Sequence, residues 1–562
     1  MRRLRSDGTL VFIYLIAAAT GVLILFPVGN ILLDIFVSNG SLDLSGVSRA
    51  AALPGIGETI WNTAVVVAAG VIIALIMGTG FAWLNERTDA RLGWIAGILP
   101  IVPLLAPPII IAIGWVFMLS PRAGFVNVLA RWAFDLDGPT GPFNIFTWYS
   151  LIGLYALELT PIVYLVVAAA MRDMDPMLEQ ASRVYGFGPF KTFMRVTLPS
   201  VRGAIAAAAW LATSVGLALF SAPSIVGRSA DIDVLTSRIV RLLTAQYPPK
   251  VDVAVVLGGI ILAVIGVGWI LQRRVMKSGR YSVIGGKATG SSRVRLGRWR
   301  LPCRGLMVGF VLVSVVIPVV GLVLVSLQPF WTANIHLSRL GLAAYETALA
   351  GSGPTALALW NSIKLGAACA SVIIFISFCV STLDRWLRPN RLSSFFDGLM
   401  KVPAGFSQVI VAIGIILVFF GTPFNLSGTL LIIGIAYVVI YMPQGSIAVG
   451  STLSQVDLQL LEASQMSGAR FWRTASKVLM PLSLGGIANG WVLVFVYVIG
   501  DLTASVLLSG TATPTIGYVL LQEFNNGSYP VIAALGVLVS LASSFIVLFV
   551  LRLTAGGGHR EP

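Results

Sequence analysis

The chain has 562 residues, of which 57% are hydrophobic and only 11% are charged, and its formal net charge is +15. This composition excludes a soluble globular protein, which needs more charge to cover its surface, and indicates an integral membrane protein. Three cysteines and two histidines exclude a disulfide framework and leave no metal-ligand spacing, so we predict no cofactor, metal site or catalytic residue in this chain. Cys369 and Cys379 share one apolar segment and are predicted to be small packing residues.

Runs of about 20 apolar residues predict twelve membrane-spanning helices and therefore an all-α membrane protein. Six lie in the first half of the chain, near 10–37, 60–84, 95–119, 146–171, 201–221 and 251–272. Six lie in the second half, near 304–327, 361–383, 396–420, 428–450, 484–508 and 530–551. The third span contains Pro100, Pro103, Pro107 and Pro108, which predict a kinked or broken helix there.

Basic residues predict how the spans are oriented. If the amino terminus is cytoplasmic, 29 of the 38 Lys and Arg fall on the cytoplasmic side, ten of them in and beside the linker 273–303. Such a bias is typical of bacterial inner-membrane proteins, so we expect a multi-pass chain in the cytoplasmic membrane with both termini inside. A basic strip for nucleic acid is the competing interpretation. The linker lacks interleaved aromatic residues, and we therefore predict no nucleic-acid partner.

Two loops between predicted spans repeat the same residues. Loop A, residues 175–199, contains Glu179, Gln180, Ala181, Ser182, Gly186 and Pro199. Loop B, residues 457–481, contains Glu462, Ala463, Ser464, Gly468 and Pro481. From Gln180 and Glu462 onward, matching positions differ in residue number by a constant displacement of 282, which indicates an internal duplication.

The duplication extends over most of the chain. At the displacement of 282, Tyr155 matches Tyr437, whereas upstream a displacement of 300 matches Gly114 with Gly414. The change in displacement places an insertion between the third and fourth spans of the first repeat, within the segment 120–146. We predict a first repeat at 1–272, a basic cytoplasmic linker at 273–303 and a second repeat at 304–562. An even number of spans in each repeat makes the two repeats parallel.

The residues of loops A and B suit a stiff lever with sharp ends. Asp175 and Asp457 are predicted to cap a helix at its amino end. Gly186 and Gly468 are predicted to end that helix in the left-handed conformation. An aromatic residue beside a cation follows in each loop, at Phe190-Lys191 and Trp472-Arg473. Such pairs are typical of residues that enter a groove on another protein.

The pattern E-A-A-x-x-x-G, with proline thirteen residues after the glycine, resembles the cytoplasmic coupling loop of bacterial ATP-binding-cassette importer permeases. The whole chain resembles a fused double permease of the binding-protein-dependent, type I kind, as in iron(III) and thiamine importers, with 2-aminoethylphosphonate permeases close by. The segment 500–508 is similar to the K-E-L-x-A-T-L-L-L stretch of iron(III)-type permeases, with Gly500 and Asp501 in place of Lys and Glu. Gln180 also departs from the Glu of the family pattern.

This resemblance implies a permease rather than an enzyme. It implies a pair of identical ATPase subunits that bind ATP and Mg²⁺ at the cytoplasmic face, and an extracytoplasmic solute-binding protein at the outer face. No phosphate-binding loop of the form G-x-x-x-x-G-K-[ST] occurs in this sequence. The implied solute is ferric iron. Thiamine, 2-aminoethylphosphonate and polyamines are alternatives, and a major-facilitator secondary transporter is a further one, because it also has twelve helices in parallel repeats.

Charged residues in or beside the spans are candidates for the translocation path. Glu158, Asp501 and Lys364 are the candidates retained, because a charge in lipid is costly and is expected to face a pathway or a partner. Glu158 matches Ile440 and Asp501 matches Leu219 in the other repeat, so the acids would form an asymmetric path. The alternative is a carboxyl group that is hydrogen-bonded between helices or paired with Lys364.

Overall fold

The structure is a computed structural model, and it describes residues 8–38, 41–42, 45–95, 99–278, 293–332, 334–350, 353–386, 391–469 and 471–555. These residues are almost entirely helical, as predicted. The predicted linker is described only at its two ends, so residues 279–292 lie outside the described part.

The helices of the first half are α1 (Gly8–Phe36), α2 (Ser45–Ala51), α3 (Ile56–Arg87), α4 (Pro108–Leu119), α5 (Phe125–Phe134), α6 (Trp148–Asp173), α7 (Pro176–Val184), α8 (Pro189–Thr192), α9 (Leu198–Ser200), α10 (Arg202–Ala218), α11 (Leu235–Thr244) and α12 (Val251–Ser278). Two-residue strands β1 (Val37–Ser38) and β2 (Ser41–Leu42) pair antiparallel after α1.

The helices of the second half are α13 (Arg300–Val311), α14 (Ile317–Ser326), α15 (Ala343–Leu349), α16 (Pro354–Trp386), α17 (Arg391–Lys401), α18 (Gln408–Phe419), α19 (Leu430–Ser454), α20 (Leu458–Met466), α21 (Phe471–Thr474), α22 (Met480–Ile499), α23 (Thr503–Leu508), α24 (Ile516–Asn526) and α25 (Tyr529–Ala555). Short 3₁₀ turns lie at Gly93–Ile95, Leu99–Leu105, Arg228–Ala230, Gly297–Trp299, Leu337–Arg339 and Val402–Gly405. Single π-helical turns lie at Phe193–Thr197, Pro223–Gly227, Leu312–Val316 and Ala475–Leu479.

The predicted spans correspond closely to these helices. Within the described residues, nine helices are long and apolar enough to cross a membrane, and the number is eleven if two bent pairs each count as one span. The third predicted span is the one of the twelve that is not among these eleven. It breaks between the 3₁₀ turn Leu99–Leu105 and α4, at the prolines that predicted the break. Its counterpart in the second half is also bent, by 106° between Leu392–Gly405 and Gln408–Phe419.

The chain forms two compact units, and they do not coincide with the two halves of the sequence. Unit 1 comprises Met1–Ala52, Ile239–Gly259 and Ala343–Pro562, and unit 2 comprises Leu53–Arg238 and Ile260–Leu342. The first helix of the chain, α1, therefore packs with helices of the second predicted repeat. The helices α13 and α14, which open the second predicted repeat, pack with helices of the first.

A glycine at matching positions makes this packing possible in each unit. In unit 2, a Cβ atom on Gly114 of α4 would collide with the backbone carbonyl of Pro318 in α14. In unit 1, a Cβ atom on Gly414 of α18 would lie 2.7 Å from the carbonyl oxygen of Pro27 in α1. The proline removes an amide donor from one helix, and the glycine lets the other helix approach its backbone. The sequence repeat revealed the two glycines but not the helices that they contact.

Candidate functional site

Loops A and B contain the same capped helix, α7 in unit 2 and α20 in unit 1. The carboxylate of Asp175 accepts a hydrogen bond from the Met177 amide at 2.9 Å, and that of Asp457 accepts one from the Gln459 amide at 3.0 Å. These bonds satisfy amides that have no partner within the helix, and the negative charge complements the helix dipole. The predicted amino-terminal caps are confirmed.

Both helices end in the same way. Gly186 has φ +79° and Gly468 has φ +74°, which is the left-handed region that glycine adopts without strain. The amide after each glycine donates to a carbonyl five residues earlier, from Phe187 to Ser182 at 3.2 Å and from Ala469 to Ser464 at 3.1 Å. This pattern is a Schellman cap, and it fixes where each helix stops.

A pair of hydroxyl groups ties each helix to the segment that follows it. The Oγ of Ser182 lies 2.9 Å from the Oγ1 of Thr192, and the Oγ of Ser464 lies 2.6 Å from the Oγ1 of Thr474. The two pairs are related by the same displacement of 282, and in each loop a π-helical turn begins at the next residue after the threonine. The serine hydroxyl groups therefore contact their own loop and hold each helix against the segment that follows it.

Three apolar side chains at matching positions are exposed on each loop. Loop A presents Leu178, Val184 and Phe190, and loop B presents Leu460, Met466 and Trp472. Val184 is 87% exposed and Met466 is 89% exposed, so neither residue packs within its own unit. Exposed apolar residues that recur in two copies of a surface mark a site of protein interaction. We call these six residues the apolar triads.

The two loops differ in how the inner side of the helix is held. Glu179 is completely buried in unit 2, and its Oε1 accepts a hydrogen bond from the Oγ1 of Thr197 at 2.6 Å. The Nη1 of Arg87, at the end of α3, lies 3.7 Å from the Oε2 of Glu179 and forms an ion pair with it. Arg87 also donates to the carbonyls of Met171 and Met174, which directly precede loop A. Glu179 therefore anchors loop A from the inside and is not part of the exposed surface.

Loop B has apolar residues at the corresponding positions. Leu461 and Leu479, which match Glu179 and Thr197, are both buried. Arg385, near the end of α16, donates from Nη2 to the carbonyl of Val456 at 2.7 Å, and Val456 matches Met174. The Nε and Nη1 atoms of Arg385 are buried, and among the described residues they have no hydrogen-bond partner. An arginine supports the start of both loops, but a buried carboxylate joins it in loop A alone.

Asp501 lies in unit 1 at a break between α22 and α23. Its Oδ1 accepts a hydrogen bond from the Oη of Tyr441 at 2.8 Å, and its Oδ2 accepts one from the Ser505 amide at 3.0 Å. Tyr437 lies 2.7 Å from the Oγ of Ser505, and the ring of Tyr497 stacks on that of Tyr441. The polar side-chain atoms of this cluster are all oxygens, and the cluster lies beside the break between the two helices.

The other two path candidates lie elsewhere. Glu158 lies on α6 in unit 2, half-buried, with no hydrogen bond or ion pair to any residue in the described ranges. Lys364 is an exposed residue on α16 in unit 1, and its Nζ lies 5.0 Å from the centre of the Trp360 ring. Lysine beside tryptophan is typical of the membrane interface. Within each unit, the described residues show no ion pair that joins Lys364 to Asp501 or Glu158 to a base.

The sequence alone did not reveal several residues that hold the loops or surround Asp501. Arg87, Thr197 and Arg385 hold the loops, and Tyr437 and Tyr441 surround Asp501. Arg87 and Arg385 could have been found, since each is a basic residue at the end of the second span of a repeat. The described residues contain no group of three or more His, Cys, Asp or Glu that could hold a metal ion.

Comparisons with known proteins agree with this architecture. The family described as "Binding-protein-dependent transport system inner membrane component" matches residues 70–276 and 387–555. The probable ABC transporter permease protein y4fN of Sinorhizobium fredii is 26% identical over 503 residues, which cover 86% of this chain and 85% of that protein. The ferric transport system permease protein FbpB of Actinobacillus pleuropneumoniae is 24% identical over 533 residues, which cover 94% of this chain and 75% of that protein.

A shorter relative matches less of the chain. The spermidine/putrescine transport system permease protein PotC of Haemophilus influenzae is 22% identical over 227 residues, which cover 40% of this chain and 77% of that protein. The family model matches the chain twice, once in each predicted repeat, and the two matches together cover more than half of it. This chain therefore belongs to the binding-protein-dependent transport system inner membrane component family, as a two-repeat, multi-pass permease of an ABC importer.

Proposed function

We propose that this chain forms the membrane pathway of an importer for ferric iron. A pair of identical ATPase subunits binds loops A and B, and an extracytoplasmic binding protein delivers the solute to the opposite face. In this arrangement the two repeats, 1–272 and 304–562, form the pathway, and the basic linker 273–303 joins them on the cytoplasmic side together with both termini. ATP and Mg²⁺ belong to the partner subunits.

The observation that carries this proposal is the pair of apolar triads. In each loop two residues of the triad lie on the capped helix, α7 or α20, and the third lies on the short helix that follows, α8 or α21. The serine–threonine pair ties these two helices together, so the three side chains are displayed in a fixed geometry. Basic residues flank Phe190 and Trp472, namely Lys191 and Arg473. An aromatic anchor with cations beside it fits an apolar groove with an acidic rim on a partner.

The proposed mechanism is alternating access. ATP-driven closure of the ATPase subunits moves α7 and α20 as rigid levers, because their caps and serine–threonine pairs resist bending. In unit 2 the movement reaches α3 through the contacts of Arg87 with Glu179 and with the carbonyls before loop A. The pathway then opens to the outside, and release of the hydrolysis products returns it to the inside.

Iron is proposed as the solute on two grounds. A relative that is similar over most of the chain is a ferric transport permease. The cluster of Asp501, Tyr437 and Tyr441 offers a carboxylate and two phenol groups beside a helix break. A small trivalent cation is a hard ion that prefers oxygen ligands, and transient contact with such a cluster suits an ion in passage.

Other solutes are kept as alternatives. The similarity to a spermidine/putrescine permease favours a polyamine as the second candidate, since an organic cation would also be attracted to Asp501 and Glu158. Thiamine and 2-aminoethylphosphonate follow. Family membership argues against a secondary transporter of the major-facilitator type.

Binding of the ATPase subunit tests the role of the loops. We expect the double variant Phe190→Glu/Trp472→Glu to weaken binding of the purified ATPase to the reconstituted chain about 30-fold or more, because two aromatic anchors are lost. Trp132→Glu is the matched control. Trp132 is 81% exposed on α5, within the inserted segment that is predicted to face outward. Equal binding by the double variant and the wild type would refute the proposed surface.

Uptake into proteoliposomes tests the solute. The chain, its ATPase and its binding protein are reconstituted, and ATP-dependent uptake of ⁵⁵Fe(III), labelled putrescine, thiamine and 2-aminoethylphosphonate is compared. We expect uptake of iron alone, and slower iron uptake with Asp501→Asn while the ATPase still binds. Uptake of another solute without iron would overturn the iron assignment and leave the importer assignment intact.

A further inference from the structure

A cavity of about 500 Å³ in unit 2 is lined by four arginines, and neither the transport pathway nor the loop surface uses it. Its lining residues are Asp89, Arg91, Gly93, Arg293, Arg300 and Arg304. The first three follow α3, and the others come from the end of the linker and from α13. The cavity therefore lies where two segments that are far apart in the sequence meet.

Backbone contacts hold these two segments together. Thr88 and Val294 form a parallel bridge, and the Val294 amide donates to the Arg87 carbonyl at 2.9 Å. The Oδ1 of Asp89 accepts a hydrogen bond from the Leu296 amide at 2.9 Å. Arg304 donates from Nε to the carbonyl of Ala90 and from Nη2 to that of Arg91, each at 3.1 Å. The cavity is thus a built feature, with one of its arginines fixed in place.

The positive charge in the cavity is not balanced by nearby acids. No carboxylate in the described ranges lies within ion-pair distance of Arg91, Arg293, Arg300 or Arg304. The remainder of the linker has no acid to offer, because the sequence contains no Asp or Glu between Asp252 and Glu346. Asp89 is the single acid of the lining, and one of its oxygen atoms is engaged by the Leu296 amide. Four guanidinium groups around one cavity form a site for an anion.

The chemistry of the site favours phosphate. The guanidinium group presents a planar set of donors that binds phosphate oxygens in pairs, and several such groups balance a phosphodiester and its neighbours. Carboxylates would satisfy the same donors less fully, since a phosphate group offers more oxygen atoms.

The position of the site favours a phospholipid over a soluble anion. Arg300 begins α13, which belongs to the membrane-spanning segment Gly297–Ser326. Beside it, Trp299 is 59% exposed and Leu301 is 75% exposed, which is typical of a helix end in the headgroup region of a bilayer. Basic pockets at such helix ends bind anionic lipid headgroups. The cavity also lies at the end of α3 that holds loop A through Arg87, so it faces the same side of the membrane as loop A.

We propose that this arginine cavity binds the headgroup phosphate of an anionic phospholipid in the leaflet that faces the ATPase subunits. The naming of that leaflet rests on the proposed function, whereas the site itself does not. A bound headgroup would neutralise the arginine charges where Arg304 holds α13 against the residues after α3, and it would stabilise the end of α3 that anchors loop A.

Lipid retention and thermal unfolding test this proposal on the purified full-length chain. Native mass spectrometry of the delipidated wild type is expected to show one tightly held phosphatidylglycerol or cardiolipin and no retained phosphatidylcholine. Titration with phosphatidylglycerol is expected to raise the unfolding temperature. In the double variant Arg91→Gln/Arg300→Gln, the apparent dissociation constant is expected to rise about 30-fold, since each arginine near a headgroup contributes about fivefold to the affinity.

A second double variant separates a specific site from general attraction. Arg295→Gln/Arg298→Gln removes the same charge from the same segment without touching the cavity lining. This control is expected to retain the lipid. Equal loss of lipid in both double variants would mean diffuse attraction to the basic segment and would overturn the proposal, as would retention of the lipid by Arg91→Gln/Arg300→Gln.

Soluble anions and the ATPase subunit complete the experiment. If inorganic phosphate or glycerol phosphate stabilises the wild type as much as phosphatidylglycerol does, the site takes a soluble phosphate and the lipid assignment fails. Binding of the ATPase is measured on the same preparations. A wild-type chain that binds the ATPase but retains no lipid would refute the lipid site alone. A chain that retains the lipid but does not bind the ATPase would refute the proposed function alone.

Discussion

Loops A and B display the same capped helix, but different residues lie beneath it. Both contain a helix with an aspartate cap, a left-handed glycine, a serine–threonine pair and an apolar triad. Beneath that helix, loop A has the buried network of Glu179, Thr197 and Arg87, whereas loop B has Leu461 and Leu479. The capped helix and its exposed apolar positions are the same in both copies, whereas the residues beneath the helix differ.

The largest expected effect comes from breaking the buried network of Glu179, Thr197 and Arg87 in loop A. Glu179→Ala would leave Arg87 buried without its carboxylate, which typically costs about 3–5 kcal/mol of stability. The measurement is the unfolding free energy of the chain in a fixed detergent, together with binding of the ATPase. The triple variant Arg87→Met/Glu179→Leu/Thr197→Leu is the control, because it replaces the whole network by apolar groups, with leucine at the two positions where loop B has leucine. A triple variant no more stable than Glu179→Ala would contradict the importance of the unpaired charge.

The second prediction introduces the same carboxylate and hydroxyl groups into loop B. Arg385 has two buried nitrogen atoms, Nε and Nη1, that lack hydrogen-bond partners in the described part of the chain. We expect Leu461→Glu/Leu479→Thr to be tolerated when Arg385 is present and to cost about 3 kcal/mol more when Arg385→Met is added. Unfolding free energies of the two variants give the difference. Identical stabilities would mean that Arg385 cannot reach position 461.

The shared helix end gives a smaller effect, equal in the two loops. A side chain at φ +74° or +79° costs about 1–2 kcal/mol, and valine is a poor choice there because its β-branch is bulky. We expect Gly468→Val to uncouple ATP hydrolysis from uptake while the chain stays in the membrane, and Gly186→Val to do the same. The ratio of solute transported to ATP hydrolysed is measured for each variant. Unaltered uptake in Gly468→Val would count heavily against the lever mechanism.

The smallest effect concerns the hydroxyl pairs. Loss of one hydrogen bond in Ser182→Ala or Ser464→Ala is expected to cost about 1 kcal/mol. The Ser182–Thr192 pair is the more deeply buried, so Ser182→Ala is expected to be the worse of the two, because Thr192 is left without a partner away from water. Amide hydrogen exchange of residues 189–197 and 471–479 measures the loosening. Greater loosening in loop B would reverse the expected order.

Local signals in the sequence predicted much of this structure. The caps, the glycine ends and the spans follow from residue types and spacing, and the prolines predicted the break in the third span. The anchoring of the loops was not predictable in the same way. Glu179 was predicted as one residue of the loop motif beside Gln180, and only the fold shows that its side chain points inward to Arg87. Contacts between distant segments, such as Pro27 with Gly414, leave no periodic trace in a single sequence.

The contact of Pro27 with Gly414 has a consequence for how the protein is made. Helix α1 is synthesised almost 400 residues before α18, which at ribosomal rates of 5–20 residues per second is a delay on the order of 20–80 s. During that time α1 lacks α18, one of the helices on which it finally packs. Unit 2 gains its contact between α4 and α14 earlier, because α14 precedes α18 in the chain and lies closer in sequence to its partner. Biogenesis is therefore staggered, and a chain that ends before α16 would contain all residues of unit 2 while its first helix still lacks α16, α17 and α18, on which it packs.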